Sequence, residues 1–305
     1  MKNLLIYLSF ITSSMALSPA DCDIEAFSLS KAFVTKENAI SCSKISSFQS
    51  TVRDISAFFN NAPEVRLIIS SQSSNASFDY GETIYIPLQL TFPGKYGGMN
   101  FGDPTQTEYI LAHEYGHAIF AKLLSENDFY RDMYIVDKEY SNLEFSKKLS
   151  ISFTEEDESK LIELKEKKNS YNKLRKLLSD YSEFYADVIT VYYSNNKETM
   201  LNALYYFEMS DQSYQLVLAR SFSENFVDIS NRIYHEEHAS LVLARQFIGR
   251  DLWPNSAEDK ENHLQLIYTA IEAEVLYRLE NEVYKMSPEE LNKSLIKRMK
   301  MLMAL

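Results

Sequence analysis

The segment His113-Glu114-Tyr115-Gly116-His117 places two imidazoles four positions apart, with a carboxylate directly after the first of them. Residues i and i+4 of a helix lie one above the other on the same face, so both imidazoles can reach one metal ion. This H-E-x-x-H pattern is typical of Zn²⁺ sites in which the glutamate accepts a proton from the attacking water. We therefore expect His113 and His117 to bind zinc and Glu114 to act as the general base.

A catalytic zinc ion needs a third protein ligand and an open position for water. The metzincin arrangement would place a glycine at position 120 and a histidine at 123, but Phe120 and Leu123 stand there and exclude it. The segment 177–193 offers another ligand, because it is almost wholly apolar yet carries Glu183 and Asp187 one helical turn apart. A buried carboxylate costs on the order of several kcal/mol unless it is paired or bound to a metal. We expect Glu183 to bind the zinc and Asp187 to accept a hydrogen bond from a ligand histidine.

Two helices must carry these side chains, and the first has a recognisable beginning. Asp103 and Pro104 fit an N-cap followed by proline at the first helical position, and the helix is predicted to continue to about Ser125. An amphipathic helix at 43–62 and strands at 65–70 and 83–90 are predicted before it. Beyond this helix the chain is predicted to be almost wholly helical, with helices at 155–176, 177–193, 200–206, 213–225, 238–250, 257–285 and 288–303.

Composition and charge exclude several other kinds of protein. The 305 residues include 31 Lys and Arg against 43 Asp and Glu, a formal net charge of −12, which argues against a nucleic-acid partner and against an anionic membrane surface. The chain has only seven glycines and contains neither a dinucleotide-binding fingerprint nor a phosphate-binding loop motif. Its apolar content of 45% is that of a globular protein with one large domain or two small ones.

The N-terminus has the pattern of a signal peptide. Lys2 precedes an apolar run at 4–11, and the small residues at 12–16 include a cleavage-site pattern that ends at Ala16. The alternative is a buried first helix. The run is too short to span a bilayer, and no other stretch of the sequence approaches the roughly 20 apolar residues that a span requires. We expect a signal peptide at 1–16 and a secreted or periplasmic protein with no integral membrane segment after its removal.

The two cysteines, Cys22 and Cys42, both follow this segment. In an oxidising compartment they are expected to form one disulfide, whereas two free thiols are the alternative if no signal peptide is present. Their spacing is not that of zinc ligands. We therefore expect a disulfide that closes the start of the mature chain.

The H-E-x-x-H motif and the later segment Glu183-Phe184-Tyr185-Ala186-Asp187 together resemble the gluzincin peptidases. The resemblance is closest to the family of the CAAX prenyl endopeptidases and their bacterial heat-shock membrane relatives, whose pattern the later segment matches at Glu, Phe, Ala and Asp. It implies that Glu183 is the third zinc ligand and that Asp187 supports the zinc site. The transmembrane helices of the membrane enzymes are absent from this sequence, so their hydrophobic substrates do not carry over.

The resemblance also implies a strand that lies beside the substrate. Family members have an Asn-Ala-rich segment that leads into this strand, and Asn75-Ala76 followed by Thr83-Ile84-Tyr85 is similar. Thr83, Ile84 and Tyr85 are therefore expected on an edge strand that pairs with an extended peptide through main-chain hydrogen bonds. The alternative is an ordinary strand inside the sheet.

Two further residues follow from the same resemblance. Family members carry a histidine shortly before a helix and an arginine six residues later; here Arg245 follows His238 by seven, and the usual proline after the histidine is missing. The resemblance implies that His238 and Arg245 stabilise the oxyanion of the tetrahedral intermediate. His235 competes with His238 for this role, and the alternative for either is a surface position at a helix start.

These observations predict an α+β, predominantly helical protein with a zincin-like core and a small sheet whose edge strand borders the active-site cleft. A single domain at 17–305 would consist of that core at about 43–250 and a C-terminal helical part at 251–305. The expected function is a secreted endopeptidase with one Zn²⁺ per chain that cleaves protein or peptide substrates. The alternatives are a zinc hydrolase of non-peptide amides or esters, a non-catalytic zinc-binding or interaction protein with the same fold, and a protein without metal.

Overall fold

The structure is a computed structural model that describes residues 17–19, 22, 29–35, 40–71, 74–94, 98–149, 153–224 and 228–304. The predicted signal peptide at 1–16 lies outside these residues. The strands are β1 (Leu17–Pro19), β2 (Ser30–Thr35), β3 (Val65–Ser70), β4 (Ser77–Phe78), β5 (Thr83–Pro87), β6 (Thr91–Pro93) and β7 (Met99–Phe101). The helices are α1 (Cys42–Ser56), α2 (Pro104–Leu124), α3 (Asp128–Leu149), α4 (Glu155–Ser170), α5 (Asn172–Ser194), α6 (Thr199–Leu204), α7 (Asp211–Leu218), α8 (Val242–Asp251), α9 (Ala257–Glu280) and α10 (Pro288–Met303), with a 3-10 turn at Arg232–His235.

Helices make up 63% of the described residues and strands 10%, so the predicted class, α+β and predominantly helical with a small sheet, is confirmed. Among the described residues, no helix combines the length and the apolar character that crossing a membrane requires.

Five strands form the main sheet, in the order β1-β2-β3-β5-β4. The inner strands β2, β3 and β5 run parallel, whereas β1 and β4 are antiparallel strands at the two edges. Leu67, Ile68 and Ile69 are consecutive in β3 and all are buried, so both faces of this strand are covered. That is the usual pattern of a parallel strand, and it places the centre of the sheet inside the hydrophobic core.

Thr83, Ile84 and Tyr85 lie on an inner strand and not on the predicted edge. Their strand, β5, pairs with β3 on one side and with β4 on the other. The edge is β4, because the polar stretch before β5 turns back on itself to form a hairpin. Asp79 stabilises this turn, since its Oδ1 accepts hydrogen bonds from the amides of Gly81 (2.9 Å) and Thr83 (3.0 Å). The position at which an extended chain could join the sheet is therefore β4.

Helix α2 begins where the sequence predicts. Asp103 accepts a hydrogen bond from the amide of Thr105 (2.8 Å), and the side chain of Gln106 accepts one from the amide of Asp103 (2.6 Å). Pro104 occupies the first turn, where no amide hydrogen is needed for the helical ladder. These contacts fix the start of the helix that carries His113 and its neighbours.

Helix α5 passes through the middle of the protein, with α2 on one side and α9 on another. Tyr181, Phe184, Tyr185 and Val188 are completely buried, which explains why its sequence is apolar almost all round. The hydroxyl of Tyr185 donates a hydrogen bond to the carbonyl of Leu264 in α9 (3.3 Å). The C-terminal helices α9 and α10 thus contribute to the same apolar cluster as α2 and α5.

Cys22 and Cys42 form a disulfide, which confirms the prediction. The bond joins the segment between β1 and β2 to the first residue of α1, and 20 positions separate the two cysteines. A loop of this length contributes about 3 kcal/mol by restricting the unfolded chain. The strands β1 and β2 are therefore fixed covalently to the helical part of the protein.

Candidate metal centre

His113 and His117 of α2 and Glu183 of α5 meet at the bottom of a cleft. The Nε2 atoms of the two histidines are 3.0 Å apart. Oε2 of Glu183 lies 3.2 Å from Nε2 of His113, and its Oε1 lies 3.3 Å from Nε2 of His117. Two helices that are distant in the sequence thus bring two imidazoles and one carboxylate together, in a group that could hold a metal ion.

The three donors have the spacing that zinc requires. Two ligands of a tetrahedral Zn²⁺ ion, each about 2.0–2.1 Å from the metal, lie about 3.3 Å from one another. The measured separations are close to this value, at 3.0 Å between the two Nε2 atoms, 3.2 Å from that of His113 to Oε2 of Glu183 and 3.3 Å from that of His117 to Oε1 of Glu183. In addition, Oε2 of Glu183 is buried and makes no well-formed hydrogen bond to any residue that the structure describes, so it can still bind a cation. Two imidazoles and one carboxylate are a donor set that zinc binds with a fourth position open to water.

The second ring nitrogen of each histidine also has a partner. Nδ1 of His117 lies 2.8 Å from Oγ of Ser182, one residue before Glu183. Nδ1 of His113 lies 3.0 Å from Oδ1 of Asp187, which is the position expected for this aspartate from the sequence. Such contacts orient the imidazoles so that their Nε2 atoms point toward a common metal.

Arg245 lies outside the cleft, in contrast to its predicted place beside the substrate. Its side chain is completely buried, and its guanidinium holds Asp187 through contacts of 2.9 Å from Nε and 2.7 Å from a terminal nitrogen to Oδ2. The buried carboxylate of Asp187 attracts this cation, which therefore cannot reach a substrate oxyanion. Arg245 supports the metal centre from behind.

Arg220 is a residue of this site that the sequence analysis missed. Its guanidinium contacts Asp187 on both carboxylate oxygens (3.1 and 2.5 Å) and lies 3.2 Å from both ring nitrogens of His113. It is also 3.5 Å from Oε2 of Glu183 and lines the cleft. The sequence contains one indication of this role, since Arg220 directly follows the apolar residues 216–219. An isolated cation in such surroundings needs a buried acidic partner.

The packing behind Arg220 holds its segment in place. The amide of Phe222 donates a hydrogen bond to the carbonyl of Lys197 (3.0 Å). Gly249 of α8 lies against the Phe222 carbonyl so closely that a Cβ on this glycine would be 1.7 Å from the oxygen. The close approach requires glycine at position 249, and it fixes the chain two residues after Arg220.

The charges at the centre are arranged to hold a cation between carboxylates. Burial and the Arg220 guanidinium lower the pKa of His113, but its contacts with Asp187 and Glu183 outweigh them and raise this pKa to about 9. Burial raises the pKa of Asp187, but Arg220 and Arg245 outweigh it and lower this pKa. The pKa of Glu183 is well below its usual value, because the two histidines outweigh the effect of burial. A divalent cation bound at the Nε2 atoms would replace the proton of His113 as the positive charge among these groups.

His238 stands at the edge of the centre. The structure begins α8 at Val242 and leaves His238 in the turns before it, whereas the sequence predicted a helix from position 238. Its amide donates a hydrogen bond to Glu236 (3.0 Å), and its Nδ1 contacts the same carboxylate. Nε2 of His238 faces Oε2 of Glu183 at 3.4 Å, and the ring lines the cleft. The imidazole is thus close to the metal ligands but is not part of their group.

The cleft above these residues has a volume of about 400 Å³. The base predicted from the sequence, Glu114, lines it, whereas Thr83, Ile84 and Tyr85 are not among the described residues around it. One wall comes from β4 and the residues next to it, and an apolar part comes from α2, α6 and α7. The lining residues are Asn75, Ala76, Ser77, Phe78, Tyr80, Ile110, His113, Glu114, His117, Glu183, Leu204, Leu216, Val217, Arg220, Glu236 and His238.

Comparison of the chain with protein-family models, with curated proteins and with solved structures found no match.

Proposed function

We propose that this protein is a zinc-dependent endopeptidase with a zincin-like core. The observation that carries the proposal is the meeting of His113, His117 and Glu183 at metal-ligand distances in a cleft that Glu114 also lines. When bound, Zn²⁺ would polarise the scissile carbonyl and make a water molecule acidic enough to attack it at neutral pH.

Glu114 would act as the general base and then as the acid. It follows the first zinc ligand in α2, and its side chain is largely buried but faces the cleft. Its carboxylate would accept a proton from the attacking water and deliver it to the nitrogen of the leaving amine. Protein that binds a metal without catalysis does not need a carboxylate at this position, and this favours the hydrolytic function over a binding function.

His238 would stabilise the negative charge that develops on the carbonyl oxygen. Its Nε2 is 3.4 Å from a carboxylate oxygen of Glu183, and Glu236 holds the opposite side of the ring. A donor at this distance from the metal ligands can reach the carbonyl oxygen of a bound peptide. Arg245 has no part in this step, because Asp187 holds it behind the centre.

The substrate would bind as an extended chain along β4. This strand is at the edge of the sheet, and Asn75, Ala76, Ser77 and Phe78 line the cleft. An exposed edge strand can pair with a peptide through main-chain hydrogen bonds, which recognise the backbone of any sequence. The proposed substrate is therefore an unfolded protein or a peptide.

The disulfide supports the proposal that the protein works outside the reducing cytosol. Disulfides persist in secreted and periplasmic proteins and are rare where thiol reductants are abundant. Together with the sequence pattern at 1–16, the bond between Cys22 and Cys42 favours export as the route of this chain.

The proposal is tested by pairing zinc analysis with the variants Glu114→Gln and His117→Ala. We expect about one zinc per chain in the parent and in Glu114→Gln, since the base does not bind the metal. Cleavage of an unfolded protein should fall by about 10²- to 10⁴-fold in Glu114→Gln, which is the contribution of a general base. His117→Ala should lose both the zinc and the activity.

Glu126→Gln is the matched control, because Glu126 is exposed and lies outside the cleft. It should retain both the zinc and the activity of the parent. Equal activity of Glu114→Gln and parent would refute the role of the base, and tight zinc binding by His117→Ala would refute the ligand set. Zinc in the parent without any cleavage of peptides would favour a non-catalytic zinc-binding protein.

A further inference from the structure

Tyr80 adopts a backbone conformation that aromatic residues rarely take. It lies in the turn between β4 and β5, and its φ angle is 65°. This left-handed region suits glycine, whereas a bulky side chain there is a strained outlier that persists only when the surroundings hold it. Strained residues of this kind concentrate at functional sites.

The surroundings of Tyr80 hold the turn on both sides. Asp79 accepts hydrogen bonds from the amides of Gly81 and Thr83 and from the hydroxyl of Ser141 in α3 (2.6 Å to Oδ2). Gly81 packs so tightly on α3 that a Cβ there would lie 2.4 Å from Cβ of Ser141. Glycine is therefore required at 81 to let the turn dock, and the docked turn fixes the conformation of Tyr80.

The conformation of Tyr80 directs its side chain into the cleft of the metal centre. The ring lines this cleft and lies 6.0 Å from the ring of Phe78, the last residue of β4. The guanidinium of Arg175 stacks on it at 5.4 Å and supports it from the protein side. Tyr80 is 44% exposed, so part of the residue remains open to a ligand.

The hydroxyl of Tyr80 is free to bind a ligand. It makes no hydrogen bond to any residue in the part of the chain that the structure describes. Burial, Glu183 and Glu237 raise the pKa of the phenol, which keeps it a hydrogen-bond donor at neutral pH. Tyr80 lines the same cleft as His113, His117 and Glu183, and a peptide carbonyl would have to lie in this cleft.

On the basis of the proposed function, we infer that Tyr80 is a substrate-binding residue of the cleft. Tyr80 lies two residues after Phe78, in the turn that directly follows β4. A peptide that pairs with β4 must therefore pass Tyr80. The hydroxyl of Tyr80 donates a hydrogen bond to a main-chain carbonyl of this peptide, and the ring forms the wall against which it lies. The docking of the turn on α3 keeps the ring in this place before the substrate arrives.

The test compares Tyr80→Phe, which removes only the hydroxyl, with Tyr80→Gly, which removes the side chain and suits the positive φ. The substrate is reduced and alkylated α-lactalbumin, and zinc content, KM and kcat are measured for each protein. KM should rise about fivefold to tenfold in Tyr80→Phe, which is what one neutral hydrogen bond contributes, and further in Tyr80→Gly. The kcat should stay within about twofold of the parent value. A contact that is equally strong in the bound substrate and in the transition state changes KM and leaves kcat unchanged when it is removed. Both variants should retain the zinc.

Two control variants match these changes outside the cleft. Tyr277→Phe removes the hydroxyl of an exposed tyrosine, and Glu282→Gly places glycine at an exposed position with a φ of 55°. Both should leave KM unchanged. An unchanged KM in Tyr80→Phe and Tyr80→Gly would overturn the inference. So would loss of zinc from Tyr80→Phe, because that result indicates a structural role of the hydroxyl.

Binding of the same substrate to Glu114→Gln separates this inference from the proposed function. If α-lactalbumin binds and Tyr80→Phe in that background raises the dissociation constant by the same factor, Tyr80 binds the substrate even if the parent cleaves nothing. If the substrate binds equally well with and without the hydroxyl, the inference fails while the proposed function stands. Absence of any binding overturns the inference.

Discussion

Gly116 of α2 lies against Ala186 of α5 with no space for a side chain between them. A Cβ on Gly116 would be 2.7 Å from Cα and 3.1 Å from Cβ of Ala186. This contact lies beside the candidate metal ligands, one residue before His117 and three residues after Glu183 in their helices. The two small residues therefore set the distance between the helices, and with it the distance between the imidazoles and the carboxylate.

Gly116→Ala should weaken zinc binding without removing any ligand. The added methyl group must push α2 away from α5, at a cost of about 1–3 kcal/mol in the free energy of unfolding. Zinc affinity should fall by about tenfold or more, as it does when the support of metal ligands is disturbed. Competition with a chelator measures the affinity. Gly98→Ala is the control, because a Cβ there meets nothing within 4 Å; equal losses in both variants would contradict the role of the contact.

Ser182→Ala should lower the zinc affinity by about tenfold while the fold remains intact. The hydroxyl that orients His117 through its Nδ1 atom is lost, so the imidazole can rotate away from the metal. Isothermal titration of the metal-free protein with Zn²⁺ measures the effect. Ser179→Ala, one turn earlier in α5, removes a hydroxyl that bonds only to the carbonyl of Lys176 among the described residues. A variant at 182 that binds zinc as tightly as this control would show that the contact does not support the ligand.

Asp187→Asn should destabilise the protein by about 3–5 kcal/mol, which is the usual effect of breaking a buried ion pair from one side. The carboxylate is completely buried and neutralises Arg220 and Arg245. In the variant Arg245 would lose this charged partner, and Arg220 would keep only its longer contact with Glu183 (3.5 Å). Urea denaturation of the metal-free proteins measures this loss. Asp251→Asn breaks an exposed pair with Arg250 and should cost less than about 1 kcal/mol. Similar losses in the two variants would show that the buried cluster is not a major source of stability.

Replacement of both cysteines by serine should lower the free energy of unfolding by about 3 kcal/mol and leave zinc binding unchanged. The disulfide is attached to the β1 side of the sheet, whereas the cleft is bordered by β4 at the opposite edge. Urea denaturation with and without a thiol reductant measures the stability, and the double variant should not respond to the reductant. A loss of zinc on reduction of the parent would show that the disulfide also holds the metal centre.

The parts of this structure that depend on local sequence could be predicted. The start of α2 follows from Asp103 and Pro104, whose preferences act within one turn. The same holds for the disposition of His113 and His117, since four positions along a helix always bring two side chains to one face. The carboxylates of α5 were identifiable because charged residues stand out in an apolar helix.

The parts that depend on distant contacts could not be predicted. The edge strand β4 has two residues, too few for an alternating pattern, and the hairpin that creates it depends on the docking of Gly81 against α3. Arg220 and Arg245 each directly follow the same apolar sequence, Leu-Val-Leu-Ala, so only the fold decides which of them faces the cleft. Both reach Asp187 from different sides.

The two edges of the main sheet differ in how well they can pair with a strand of another chain. At the far side, β1 is three residues long and ends at Pro19, which has no amide hydrogen for a further strand. Short strands and prolines at an edge discourage copies of a protein from stacking into aggregates. Among the described residues, β4 is therefore the edge of the main sheet that is better suited to a further strand, and it is the edge beside the candidate metal centre.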